Sequence, residues 1–194
     1  MKIEIARPAQ IALAGFLLGL GFLLLTSVKA VCQVSGNGHA PLIISAEQII
    51  LEEPNPQPYT EEGFTITPAS AVRDWVKTRL RADGAPGLVR IIVLDASMKR
   101  QELKITRGLR GWFSDDQKYR YDGRIRLRAV YEPSGGPKPA SQAEAEATGF
   151  FTMPEDATLN QLEKKAGDLV ADLMQRTALE LENNMLRYMP GVVR

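Results

Sequence analysis

The stretch QKYRYDGRIRLRAVYE, residues 117–132, alternates with period two along its whole length. Tyr119, Tyr121, Gly123, Ile125, Leu127, Ala129 and Tyr131 share one side, and Lys118, Arg120, Asp122, Arg124, Arg126 and Arg128 share the other. Successive strand side chains point to opposite faces, so this is a strand with one buried and one wet face. After the turn PSGGPKP, Ala140–Met153 alternates again, with Ala143, Ala145, Ala147, Gly149, Phe151 and Met153 opposite Gln142, Glu144, Glu146 and Thr148. A one-residue slip would turn every side chain over, so an antiparallel hairpin must match the two apolar faces. Opposing Glu132 to Ala140 does so, and it sets Arg128 across from Glu144 and Arg126 across from Glu146. Each such pair contributes about 0.2–1 kcal/mol on a wet face. The acidic row of one strand thus accounts for the basic row of the other.

Outward from this hairpin the chain alternates between strand and helix signals. Leu42–Leu51 (LIISAEQIIL) reads as one strand, and Glu52–Pro68, with Pro54, Pro56, Pro58 and Pro68, reads as an extended surface arm. Thr67-Pro68 opens a helix, because Thr67 caps it and proline at the first helical position loses no hydrogen bond. Val72, Trp75, Val76 and Leu80 form its buried stripe, and Gly84 is the expected stop. Gly87–Met98 is a strand, apolar on both faces at its centre, which places it inside the sheet. A less regular region, Lys99–Asp116, follows, with a short strand expected around Gln101–Ile105. Thr158-Leu159-Asn160-Gln161 is a capping box, and Leu162, Ala166, Leu169, Val170, Leu173, Thr177, Leu181 and Met185 continue one face of a closing helix that Pro190-Gly191 ends. At about 30 residues this helix is roughly 45 Å long. Two amphipathic helices share one apolar sheet face, which predicts a two-layer α+β domain with a mostly antiparallel sheet of four to five strands.

Ahead of this body, Ile11–Val28 (IALAGFLLGLGFLLLTSV) carries no charge and follows Lys2 and Arg7. Eighteen residues span roughly 27 Å as a helix, close to the bilayer core, and the basic flank predicts a cytoplasmic N-terminus with the remainder exported. Val28-Lys29-Ala30 resembles a signal-peptidase site, so cleavage and retention are both open. Cys32, the only cysteine, is a lipidation candidate, although Lys29 and Val31 stand where lipoprotein signals carry Leu and a small residue. The reading favours membrane attachment, with a retained helix ahead of lipid on Cys32 and an unpaired thiol as the plain alternative. The expected organisation is 1–30 signal sequence or membrane anchor, 31–41 tether and 42–190 a single α+β domain.

Of 24 basic and 23 acidic side chains, Lys2, Arg7, Lys29 and Glu4 fall in residues 1–30, leaving 21 and 22 and no global field to draw in an acidic polymer. The only histidine, His39, lies in the tether. A Ser-His-Asp or Cys-His arrangement inside the body is therefore excluded. Asp95, Asp115, Asp116 and Asp122 are the carboxylates left for acid/base or hard-cation chemistry, each with a plainer place in a turn or among arginines. A nucleic-acid platform needs stacking aromatics on the basic face, and the tyrosines point the other way. The segment Arg107–Asp116 (RGLRGWFSDD) interleaves Leu109, Trp112 and Phe113 with Arg107 and Arg110. Leu109, Arg110, Trp112 and Phe113 are accordingly the candidate contact with lipid or a partner, and a lid over the sheet end is the alternative.

The strand with Tyr121-Asp122-Gly123, its hairpin partner and the long closing helix resemble envelope lipoproteins that serve as auxiliary components of ABC-type lipid transporters. The opening strand and the helix introduced by Thr67-Pro68 fit that picture. The chain is also similar to uncharacterised exported bacterial proteins sharing Gly108-Leu109-Arg110-Gly111 and Asp116-Gln117. The expectation is a non-catalytic accessory or adaptor subunit, membrane-attached with its body in the periplasm. It would have a protein partner in the envelope, no cofactor, no metal and no nucleic acid, and the resemblance implies a lipid-handling transport system. The alternative is a periplasmic carrier of a small apolar ligand, which needs a cavity where Trp75, Tyr119, Tyr121 and Leu173 would otherwise pack.

Overall fold

The computed structural model describes residues 40–53, 64–103, 117–134 and 141–194. It is α+β: β1 Leu42–Ile44, β2 Gln48–Glu52, α1 Pro68–Arg79, β3 Leu80–Ala82, β4 Leu88–Glu102, β5 Gln117–Glu132, β6 Ser141–Pro154 and α2 Leu159–Tyr188. The main sheet is mixed, in the order β2-β4-β5-β6, with β2 parallel to β4 and the other pairs antiparallel. Both helices cover one face of it, α1 over β4 and α2 along β5 and β6. The core lies between these layers. Val89, Ile91, Val93, Ile125, Leu127 and Ala129 face Val72, Trp75, Leu173, Leu181 and Met185.

The β5–β6 hairpin has the register expected from its alternation. Arg126 lies opposite Glu146 and Arg128 opposite Glu144. The face that β6 turns to α2 is made of Ala143, Ala145, Ala147 and Gly149, so the helix lies low on it. Gly123 and Gly149 are cross-strand partners, and a Cβ on either would stand 2.8 Å from a methyl of Leu173 or Leu169.

Both helix starts are built as the sequence implies. The Thr67 hydroxyl accepts from the Ser70 amide at 3.1 Å while Ser70 Oγ accepts from the Thr67 amide at 3.0 Å. Thr158 and Gln161 repeat the exchange at α2. Each cap contributes about 1 kcal/mol.

Four local expectations change. Leu42–Leu51 is two strands, because Ser45–Glu47 turn a corner: β1 pairs in parallel with β3, and β2 joins β4. Helix α1 stops at Arg79 rather than at Gly84, since Leu80 is drawn into β3 by its pairing with Leu42. Leu80 is buried as expected, but as a strand residue. Gly84, with φ +83°, instead makes the turn after β3. Strand β4 continues past Met98 to Glu102, held by β5, and Leu103 still donates to the Lys118 carbonyl at 2.7 Å. Beyond that, the expected short strand runs outside the described residues.

A bulge between Val93 and Asp95 explains the doubly apolar centre of β4. Before it the odd residues Val89, Ile91 and Val93 face the core, and after it the even residues Ala96 and Met98 do. At the start of β4, Gly87 has φ +127° and packs under the Tyr131 ring, where a Cβ would sit 2.6 Å from Cε2. Only glycine fits there.

The C-terminal residues close the small sheet. Val193 bridges Ile44, Ser45 donates to the Val192 carbonyl at 2.7 Å, and Arg194 pairs with Asp83 at 3.2 Å. Met189 and Val192 are buried.

Candidate functional site

The topology sorts the connections to the two ends of the sheet. Strand β1 turns through Ser45–Glu47 into β2, whose Gln48 pairs with Leu88 where β4 begins and β5 finishes, so the chain joins the body toward that end. The segment 104–116 leaves from the other end, between the paired Leu103 and Lys118. Phe64, which follows the proline-rich arm, is there too: its ring meets Tyr121 edge-on at 6.0 Å, and Tyr121 stacks on Phe151 at 4.8 Å. Fifteen residues of β4 separate the two ends, roughly 50 Å.

The candidate contact residues Leu109, Arg110, Trp112 and Phe113 lie outside the described residues, as do Cys32, His39, Asp115, Asp116 and the leader 1–30. Of the bases of the two segments, Leu103, Lys118 and Phe64 lie toward one end of the body, while Glu53 follows Glu52, which pairs with Ile92 in the first half of β4. Among the described residues no helix is long and apolar enough to cross a membrane.

The wet face of the sheet is an ion-pair ladder. Arg124 meets Glu146 at 3.0 Å, Arg126 reaches Glu146 at 3.6 Å and Glu144 at 3.0 Å, and Arg128 meets Glu144 at 2.6 Å. Arg90 bridges Glu52 and Glu132 across three strands. The hydrogen bonds from Arg128, then Arg126, hold the Glu144 carboxyl below its ordinary value. Arg120 pairs with Asp122 at 2.8 Å and lies over the Phe150 ring at 3.7 Å.

Asp95 and Asp122 line one open depression of about 510 Å³ on this face, with Ser97, Lys99, Arg120 and Phe150. Asp122 is engaged by Arg120 there, and no three His, Cys, Asp or Glu side chains among the described residues are grouped to hold a metal ion. A second depression, about 370 Å³, is lined by Phe64, Thr65, Ile66, Asn160, Glu163 and Lys164 at the N-terminus of α2. Neither opens between the layers, where Trp75, Tyr121 and Leu173 are packed at 9%, 4% and 0% exposure. Tyr119 is half-buried and carries Arg100 and Lys118 on its ring instead.

Two features escaped the sequence reading. The Arg79 guanidinium clamps Glu182 with bonds of 2.9 and 2.8 Å, tying α1 to α2. Along the outer edge of β6, Asn184 donates to the Glu144 carbonyl at 2.7 Å, Arg176 to Thr148 at 3.1 Å and Lys165 to Thr152 at 3.4 Å. Polar residues on an exposed helix flank carry no signal of which way they lean.

No family model matches this chain, and no curated protein does. Solved structures that do match include three bacterial lipoproteins. A minor lipoprotein from Acinetobacter baumannii is 15% identical, over 75% of this chain and 96% of that chain, with a TM-score of 0.42. The rare lipoprotein B from Shewanella oneidensis is 12% identical, over 72% and 97%, with a TM-score of 0.38. An uncharacterized lipoprotein B from Nitrosomonas europaea is 13% identical, over 75% and 86%, with a TM-score of 0.36.

Proposed function

We propose that this chain is a non-catalytic, membrane-tethered envelope protein that works as an accessory or adaptor subunit, its body in the periplasm. The leader 1–30 attaches it to the membrane, as a retained helix or through lipid on Cys32, and residues 31–41 lead to the body. One observation carries the reading. The chain joins the body at one end of the sheet, while the base of the loop 103–117 lies at the other, roughly 50 Å away along β4, with Phe64 near it on the Tyr121 ring. A packed platform separates the base of this loop from the point of attachment, and Leu109, Arg110, Trp112 and Phe113 are the residues proposed to grip a protein partner. The packed layers supply stiffness, with Trp75, Tyr121 and Leu173 buried between them. A lipid-handling transport system is the setting proposed, on the resemblance of the β5–β6 hairpin and closing helix.

The test places a photo-crosslinking residue at Trp112 in the full chain in intact envelopes, with a second probe at Lys99 on the ladder face. Specific adducts at 112, lost on replacing Phe113 with Ser and absent at 99, are the expected result. Equal or absent adducts at both sites, with the chain folded, overturn the contact assignment. A C-terminal reporter active only inside the cell overturns the location.

A further inference from the structure

We propose that α2 guards the edge of the sheet, and that a second copy of this chain is the partner it keeps out. In the order β2-β4-β5-β6, no strand among the described residues lies beyond β6. The other edge strand, β2, has five residues, whereas β6 has fourteen. A long, regular edge is a template for strand addition, since every second residue directs both its N–H and its C=O outward. In β6 these are the even-numbered residues, because the carbonyls of Glu144, Thr148 and Thr152 are the ones reached from outside.

The guard follows from the packing. The small row beneath α2 lets the helix lie low over β6, and α2 runs antiparallel to the strand. Eight to eleven helical residues advance about 12–16 Å, and four strand residues advance about 13 Å. Lys165, Arg176 and Asn184 therefore come into step with carbonyls four residues apart. Each donor stands where an incoming strand would place its own N–H. The guanidinium of Arg176 is the central obstacle, oriented by Asp172 at 2.7 Å. The edge is thus blocked by side chains that can be removed without touching the core. A second copy presents the same fourteen-residue edge, and antiparallel pairing about Thr148 would bring two such edges together around a two-fold axis.

The test compares the full chain with Lys165→Ala/Arg176→Ala/Asn184→Ala in detergent, by sedimentation over a hundredfold concentration range and by amide hydrogen exchange. The expected result is self-association at least tenfold tighter than that of the unaltered chain, with exchange slowed at Glu144, Glu146 and Thr148. Adding Thr148→Pro, which removes an outward N–H and leaves the β5 ladder intact, should abolish the gain. Arg176→Ala alone, on an exposed side chain, should give a smaller gain in the same direction and serves if the triple variant does not fold. Unchanged association in a folded variant, or association that survives Thr148→Pro, overturns the proposal.

Discussion

Filling the glycine notch under α2 should destabilise the protein far more at two positions together than at either alone. Gly123 and Gly149 face each other across β5 and β6, and Leu169 straddles them. One Leu169 methyl would be 3.1 Å from a Cβ at 123 and the other 2.8 Å from a Cβ at 149. Ordinary carbon contacts lie at about 3.5–4.0 Å, so each added methyl intrudes by most of an ångström. With one alanine, Leu169 can swing toward the remaining notch, although a Cβ at 123 also needs Leu173, whose Cδ1 would be 2.8 Å away, to shift. Overpacking of about 1 kcal/mol is then nearly offset by the 0.5–1 kcal/mol that alanine gains over glycine in a strand. With both, neither leucine methyl has an exit and α2 must rise from the sheet, so overpacking reaches about 2 kcal/mol per methyl, about 4 in all, against the same alanine gains. The expected coupling is therefore about 1.5 kcal/mol or more, read from urea denaturation of the two single variants and Gly123→Ala/Gly149→Ala. Additivity within about 0.5 kcal/mol would refute the notch as a shared space.

Thr177 is fully buried with an unpaired hydroxyl, so Thr177→Val should stabilise by about 1 kcal/mol, seen as a higher denaturation midpoint. Glu182→Leu should cost about 2 kcal/mol by stranding the half-buried Arg79, and Arg79→Met in the same chain should recover most of it in chemical denaturation. Because Arg128 and Arg126 lower the Glu144 carboxyl from its ordinary 4.5, its contribution is present above that pH and lost as pH falls through the lowered value. Thermal melts of Glu144→Gln against the unaltered chain should accordingly show a deficit at pH 7 that shrinks toward pH 3, and a pH-independent gap would contradict the ladder's role.

The hairpin was legible because β5 and β6 obey one rule throughout: period two with one wet face, which leaves a single register. The two helix N-caps were legible for a similar reason, since Thr67 and Thr158 act on their own neighbours. Residues that satisfy two patterns at once hid the rest. Leu80 suits a helix stripe and a buried strand equally, and only its pairing with Leu42 decides. The run Ile91–Leu94 is apolar whichever way it faces, so it conceals the bulge that changes which residues point inward. Alternation along Leu42–Leu51 says nothing about a change of partner at Ser45–Glu47. For the contact site, topology adds the nearness of Phe64 and Tyr121 to the Leu103–Lys118 pair at one end, which no local pattern in 52–68 or 107–116 contains.

The continuous pairing of β4, β5 and β6 makes the body's length a stepped quantity. Inserting one residue in any of these strands would invert everything downstream of it unless a bulge like that at Val93–Asp95 took it up, so regular growth proceeds in twos, roughly 6.6 Å at a time. It would have to occur in all three strands together, with about four residues added to α2 to match. Such a coordinated change is out of reach of single insertions. The platform therefore keeps one size, and any change of reach falls to the segments that connect its strands and helices.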